Sequence, residues 1–227
     1  VVDALDRPLD KAAAGAEAGP LDVPAQSNTT PAEYQAMVAK AKEYILAGDI
    51  FQVVLSQRLS VPFHARPVDV YRALRAMNPS PYMYFLDTGT TQVVGSSPEI
   101  LVRLQDGEVT VRPIAGTRPR GETHEADVAL EAELLADPKE RAENIMIVDL
   151  VRNDLGRVAR TGSVRVERLL EVVGAPGVWH LVSRVGAQLP PEIGNVALLD
   201  ATFPPASVTG TPKLRAMQLL TDWERDP

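Results

Sequence analysis

"EILVRLQDGEVTVRPI", Glu99 to Ile114, decides the fold class. Apolar residues alternate with polar ones on both sides of Asp106-Gly107. An Asp-Gly pair between two such runs makes a two-residue hairpin turn, so the two runs are antiparallel strands. Upstream, "YMYFLD" (82–87) and "TQVVGSS" (91–97) read as strands, and "IFQVVLSQRLSV" (50–61) alternates as one longer strand. Downstream, "SVRVERLLEVV" (163–173) and "WHLVSRVGAQL" (179–189) are strand-like. Strands cluster and are joined by short turns, while helices come in groups. The fold class is α+β with mostly antiparallel sheets and outer helices.

The helices carry their own punctuation. Thr30-Pro31-Ala32-Glu33 is a capping box with Pro at the first helical position. Tyr34, Met37, Val38, Ala41 and Ile45 then recur at helical spacing. Further helices are predicted at 70–77, 126–135, from Asp137 onward, at 195–202 and at 212–223. Residues 1–29 lack apolar period and are rich in Ala, Gly and Pro, which predicts a linker or loosely ordered arm. Residues 30–227 form the folded part.

Composition excludes several functions. The 227 residues carry a net charge of −7 without a basic stripe, so nucleic acid is not an expected partner. Cysteine is absent, which rules out disulfides and thiolate metal sites and fits a reducing cytoplasm. No apolar run approaches the roughly 20 residues of a membrane helix, and no signal peptide opens the chain. Val rather than Met comes first, so a piece of a longer protein is expected.

"DPKERAENIMIVDL" (137–150) places Glu140 and Glu143 at the mouth of an apolar helix. Asp137 as N-cap, Pro138 at N1 and Glu140 at N3 is an ordinary capping box. That does not explain Glu143, which shares a face with Ile147 and Val151. Two carboxylates aimed at an interior need a cation or a shared proton, and Mg²⁺ is one solution. "PIAGTRPRG" (113–121) offers Gly116, Thr117 and two arginines able to clamp carboxylates, or is simply a polar loop. In "FPPASVTGTPK" (203–213), Thr211-Pro212 reads as an N-cap and N1 pair, with an anion site or a plain helix start both open. His180 lies in a strand, where a hydrogen-bonded structural role is the commoner one. "NPSPYM" (78–83) reads as a helix stop before a strand.

Several of these motifs occur together and in order. "GDIFQVVLSQR", "NPSPYMYF", "SSPE", "PIAGTRPRG", "DPKERAENIMIVDLVRNDLGRV", "HLVSRV" and "SVTGTPK" resemble the large, chorismate-using subunits of anthranilate synthases, from about Ala32 to the end. The resemblance implies the chorismate-binding α/β sandwich, with two large antiparallel sheets and helices outside. It implies Mg²⁺-dependent conversion of chorismate and ammonia to anthranilate and pyruvate, the ammonia coming from a glutamine amidotransferase partner subunit.

The same resemblance implies residue roles. Glu140 is the general acid at the departing C4 hydroxyl, and Glu143 binds Mg²⁺. Gly116 and Thr117 contact substrate, His180 serves the pyruvate-eliminating stage, and Ser207 stands where the family carries Thr. Lys213 follows in the same loop. Asn78, Pro79, Ser80, Tyr82 and Met83 match part of a feedback site for tryptophan. Ala115 replaces the Lys of aminodeoxychorismate synthases, and Gln52 replaces the base-supplying Lys of isochorismate and salicylate synthases. Both departures favour the anthranilate synthases, and the Lys missing at Gln52 favours ammonia over water as nucleophile. The family continues beyond "TPK" with further metal and substrate ligands, so a catalytic domain incomplete at both ends is expected. The rival expectation is a non-catalytic piece that binds ligand or partner.

Overall fold

The structure, a computed structural model, describes residues 24–175 and 177–224. In chain order the elements begin with β1 (Gln26–Ser27), α1 (Pro31–Leu46), β2 (Gln52–Val53), β3 (Leu59–Ser60) and α2 (Pro67–Met77). Then come β4 (Tyr82–Asp87), β5 (Gln92–Ser97), β6 (Arg103–Gln105), β7 (Glu108–Val111) and β8 (Ile114–Pro119). Two helices follow, α3 (His124–Ala136) and α4 (Pro138–Gly156), then β9 (Arg165–Ala175) and β10 (Val178–Gln188). The chain closes with α5 (Asn195–Thr202), α6 (Ala206–Thr209), β11 (Gly210–Thr211) and α7 (Lys213–Trp223).

The chain divides into two compact units. The smaller contains Gln57–Ser96 and the described part of Val1–Thr29. In it β1 pairs antiparallel with β3, and β4 pairs with β5. Of the arm expected at 1–29, residues 1–23 lie outside the described residues; Gln26 and Ser27 pair with Ser60 and Leu59.

The larger unit, Thr30–Ser56 with Ser97 onward, holds the main sheet. Its long central strand is β10, flanked on one edge by β9 and on the other by β7 and β8 in succession. β6 closes the order beyond β7 through the Asp106-Gly107 turn, and every pairing in this sheet is antiparallel. Asp106 and Gly107 have φ of 52° and 78°, the left-handed pair that this hairpin requires. β10 is buried from Leu181 to Ala187 except at Arg184, as befits a strand covered on both faces. Val109, Val148, Leu155, Val185, Ala187, Leu189 and Leu198 form the core, joining β7 and β10 to α4 and α5.

The capping box at Thr30 is complete, with Glu33 reaching back to the Thr30 N–H at 2.9 Å. The single strand expected at 50–61 is not formed. Only Gln52–Val53 and Leu59–Ser60 find partners, and they belong to different units. Alternation makes the segment extended, but a ladder needs a partner of matching length.

Candidate active site

The site grows from one irregularity. β8 and β10 pair His180 with Thr117, then Leu181 with Ala115, so Gly116 is an extra residue on β8. Its φ of +86° suits a bulge that only glycine forms without strain. The bulge sets Thr117 opposite His180, and Thr117 Oγ1 lies 3.0 Å from His180 Nδ1. A Cβ at Gly116 would stand 3.0 Å from Leu134 Cδ1 and 3.1 Å from Glu140 Oε2. Gly116 therefore lets the start of α4 close directly under the strand.

Asp137 caps α4, its Oδ1 accepting from the N–H groups of Lys139 and Glu140 at 2.9 and 3.1 Å. The expected capping box is only half made. The Asp137 N–H donates back to Glu133 and Leu134 of α3, so Glu140 is free for another partner. That partner is Arg118, whose Nη1 lies 3.5 Å from Glu140 Oε1 while Nε and Nη2 bind Glu133 and Asp137 at 2.8 and 2.7 Å. Arg120 is likewise engaged, with Asp127 and over the Trp179 ring at 4.0 Å. The two arginines read as able to clamp carboxylates, Arg118 and Arg120, bind the protein's own.

Glu143 is half-buried and makes no hydrogen bond or ion pair among the described residues. It stands one turn before Ile147 on α4, at the head of the stripe that continues through Leu150 and Asp154. As an uncommitted carboxylate it fits one oxygen position of Mg²⁺. Among the described residues no three His, Asp or Glu side chains gather as a metal cluster. One carboxylate is an incomplete donor set for a metal that wants near-octahedral oxygens.

A cavity of about 350 Å³ lies beside these residues in the larger unit, and Ile147, Leu150, Val151 and Asp154 of α4 form one side of it. Glu99 and Arg112 line another side, and Pro205 to Val208, including Ser207, a third. Glu99 was legible only as the end of "SSPE". Its Oε1 is buried and accepts no hydrogen bond among the described residues, with Arg112 Nε 3.9 Å away. Burial pushes the Glu99 carboxyl up from its ordinary value, against the pull of Arg112, of the Ile100 backbone N–H and of His180. Thr117, His180, Glu140 and Glu143 are not on the cavity wall.

Two expectations around Lys213 change. α7 starts at Lys213 with Pro212 as N-cap, and Thr211 belongs to β11, pairing with Gln52. Thr211 is therefore no helix cap. In the smaller unit, Ser96 Oγ donates to Asn78 O at 2.8 Å and lies 2.7 Å from Ser80 Oγ. Tyr82 and Met83 follow on β4, with Pro79 between Asn78 and Ser80.

The larger unit thus combines a bulged antiparallel sheet, a helix headed by Glu140 and Glu143, and a mostly apolar cavity with Glu99 on its wall. The profile of the chorismate binding enzymes matches residues 2–227, and the chain belongs to that family. It is 53% identical over 201 residues to anthranilate synthase component 1 of Aquifex aeolicus, covering 88% of this chain and 41% of that protein. It is 53% identical over 199 residues to the same component of Pseudomonas putida, covering 88% and 40%. The chain spans about two fifths of the length of these curated relatives. The crystal structure of anthranilate synthase component I from Streptococcus pneumoniae TIGR4 matches with TM-score 0.79 and 44% identity, over 89% of this chain and 44% of that one. The menaquinone-specific isochorismate synthase of Escherichia coli shares the fold, with TM-score 0.74 at 24% identity over 88% and 47%.

Proposed function

We propose that this chain supplies one part of an anthranilate synthase active site, where chorismate and ammonia become anthranilate and pyruvate. One observation carries the reading: a desolvated Glu99 carboxyl on the wall of a cavity shared with Ser207. The anthranilate synthase names of the relatives support the reaction. Ammonia bonds to C2 of the ring, both ring double bonds shift, and the C4 hydroxyl leaves as water once protonated. Loss of the C2 proton and cleavage of the enolpyruvyl C–O bond then release pyruvate and leave an aromatic ring.

The leaving hydroxyl needs a proton from a group within reach. The resemblance gives that role to Glu140. Placement favours Glu99, which faces the cavity, whereas Glu140 is tucked under Gly116 against Arg118. We therefore assign the acid to Glu99 and the shaping of the bulge to Glu140. Thr117 orients His180 for the elimination stage. Ser207 offers its hydroxyl to substrate. Mg²⁺, when bound, neutralises the substrate carboxylate, with Glu143 as one ligand.

Incubation of the whole subunit that contains this chain with chorismate, Mg²⁺ and ammonium, followed by anthranilate fluorescence, tests the reading. Isochorismate or aminodeoxychorismate as sole product would replace it with the sister activities. Chorismate binding without any product would favour the non-catalytic alternative. Within the reading, a glutamine amidotransferase subunit supplies ammonia, and tryptophan inhibits through Asn78 to Met83. A chain without cysteine suits the cytoplasm; no helix among the described residues is long and apolar enough to cross a membrane.

Two variants probe the assignments. A general acid works while protonated, so activity falls as pH rises through the Glu99 pKa. Arg112 pulls that pKa down. Arg112→Met should therefore move the alkaline limb of the kcat/KM profile to higher pH. A limb that stays put, or moves down, would detach it from Glu99. Glu143→Gln should raise the Mg²⁺ concentration for half-maximal activity by at least about tenfold, the loss seen even on changing a residue that only supports a metal ligand. An unchanged Mg²⁺ titration removes Glu143 from the metal site.

A further inference from the structure

Asp154 and Lys213 each occupy the wrong end of a helix. Asp154 lies in the last turn of α4, where unpaired carbonyls favour a cation. Lys213 opens α7, where free N–H groups favour an anion. Yet Lys213 Nζ donates to Asp154 Oδ2 at 2.7 Å and to the Ala201 carbonyl at 3.3 Å. The two side chains are 13% and 12% exposed. Burial pushes the Asp154 carboxyl up, against the pull of Lys213. Apolar residues of similar volume often replace such a buried pair with neutral or favourable effect on stability. Stability alone is a poor reason for a pair that opposes two helix dipoles and its own desolvation.

Position is a better reason. Asp154 is on the cavity wall, and so are Pro205, Ala206, Ser207 and Val208. The chain from Ser207 to Lys213 is short, and Lys213 also holds the end of α5 through Ala201. The pair thus ties three elements, α4, α5 and α7, around the segment that carries Ser207.

We infer that the Asp154–Lys213 pair positions the Ser207 segment against the substrate, so that it governs chorismate affinity more than turnover. The inference rests on the cavity being the chorismate site. Asp154→Leu combined with Lys213→Met removes both charges and tests it. The thermal midpoint should hold or rise. Amide exchange at 206–210 should quicken by at least about tenfold while β10 is unchanged. The KM for chorismate should rise about tenfold or more with kcat within about threefold, and Ser207→Ala should add nothing further in this background. Lys213→Arg, which keeps the pair, should keep KM near that of the parent protein.

Equal quickening of exchange in β10 and 206–210, or a double variant that does not fold, would show that the pair merely holds the fold and would overturn the inference. So would unchanged exchange and KM. A parent protein that makes no anthranilate would overturn the activity reading instead, and the exchange measurement would still decide the pair.

Discussion

Glu99→Gln lowers anthranilate formation by at least about a hundredfold while chorismate still binds, the range expected for loss of a positioned proton donor. Gln keeps the size of the side chain and removes the proton. On this assignment donation is favoured because burial disfavours the charged form, and Oε1 has no hydrogen-bond partner among the described residues. Arg112 at 3.9 Å is close enough to restrain the shift and too far for a tight pair. Glu140→Gln changes a different thing. It weakens one arm of a guanidinium already held at 2.8 and 2.7 Å by Glu133 and Asp137. Its effect on turnover should be the smaller of the two. Steady-state rates with chorismate binding measured alongside decide the matter. If Glu99→Gln keeps more than about a tenth of the rate and Glu140→Gln does not, the proton comes from Glu140 and the placement argument fails.

The contrast between these two glutamates shows where the sequence is informative. Glu140 stands out because it heads an apolar helix, and local spacing exposes that kind of anomaly. Glu99 follows Ser97 and Pro98 and looks like the polar start of a strand; only the fold gives it a cavity to face. The Asp106-Gly107 turn, the Thr30 capping box and the end helices were legible because their causes lie within a few residues. Arg118 was not. Its partners Glu133, Asp137 and Glu140 lie 15 to 22 residues away and are brought to it by the α3–α4 junction. Lys213 and Asp154 are 59 residues apart. The segment 50–61 failed for the same reason in reverse, since its pattern is right for a strand and its neighbours supply two short bridges instead.

Gly116→Ala should cost both stability and activity, and Gly107→Ala separates the causes. Both glycines have left-handed φ, +86° and +78°. A side chain in that region costs about 1–2 kcal/mol. Around Gly107 nothing lies within 4 Å of an added Cβ, so the backbone cost stands alone there. At Gly116 the new methyl meets Leu134 Cδ1 at 3.0 Å, Glu140 Oε2 at 3.1 Å and Glu140 Cβ at 3.2 Å. Leu134 is fully buried and cannot retreat, so overpacking adds about 1–3 kcal/mol. Relief can come only by pushing the start of α4 away or by flattening the bulge. Flattening shifts Thr117 out of register with His180, which breaks the 3.0 Å contact. Denaturant titration should show Gly116→Ala less stable than Gly107→Ala, and turnover should fall only in the former. Equal midpoints with full activity in both would mean that the bulge tolerates a side chain and that Glu140 is not seated by it.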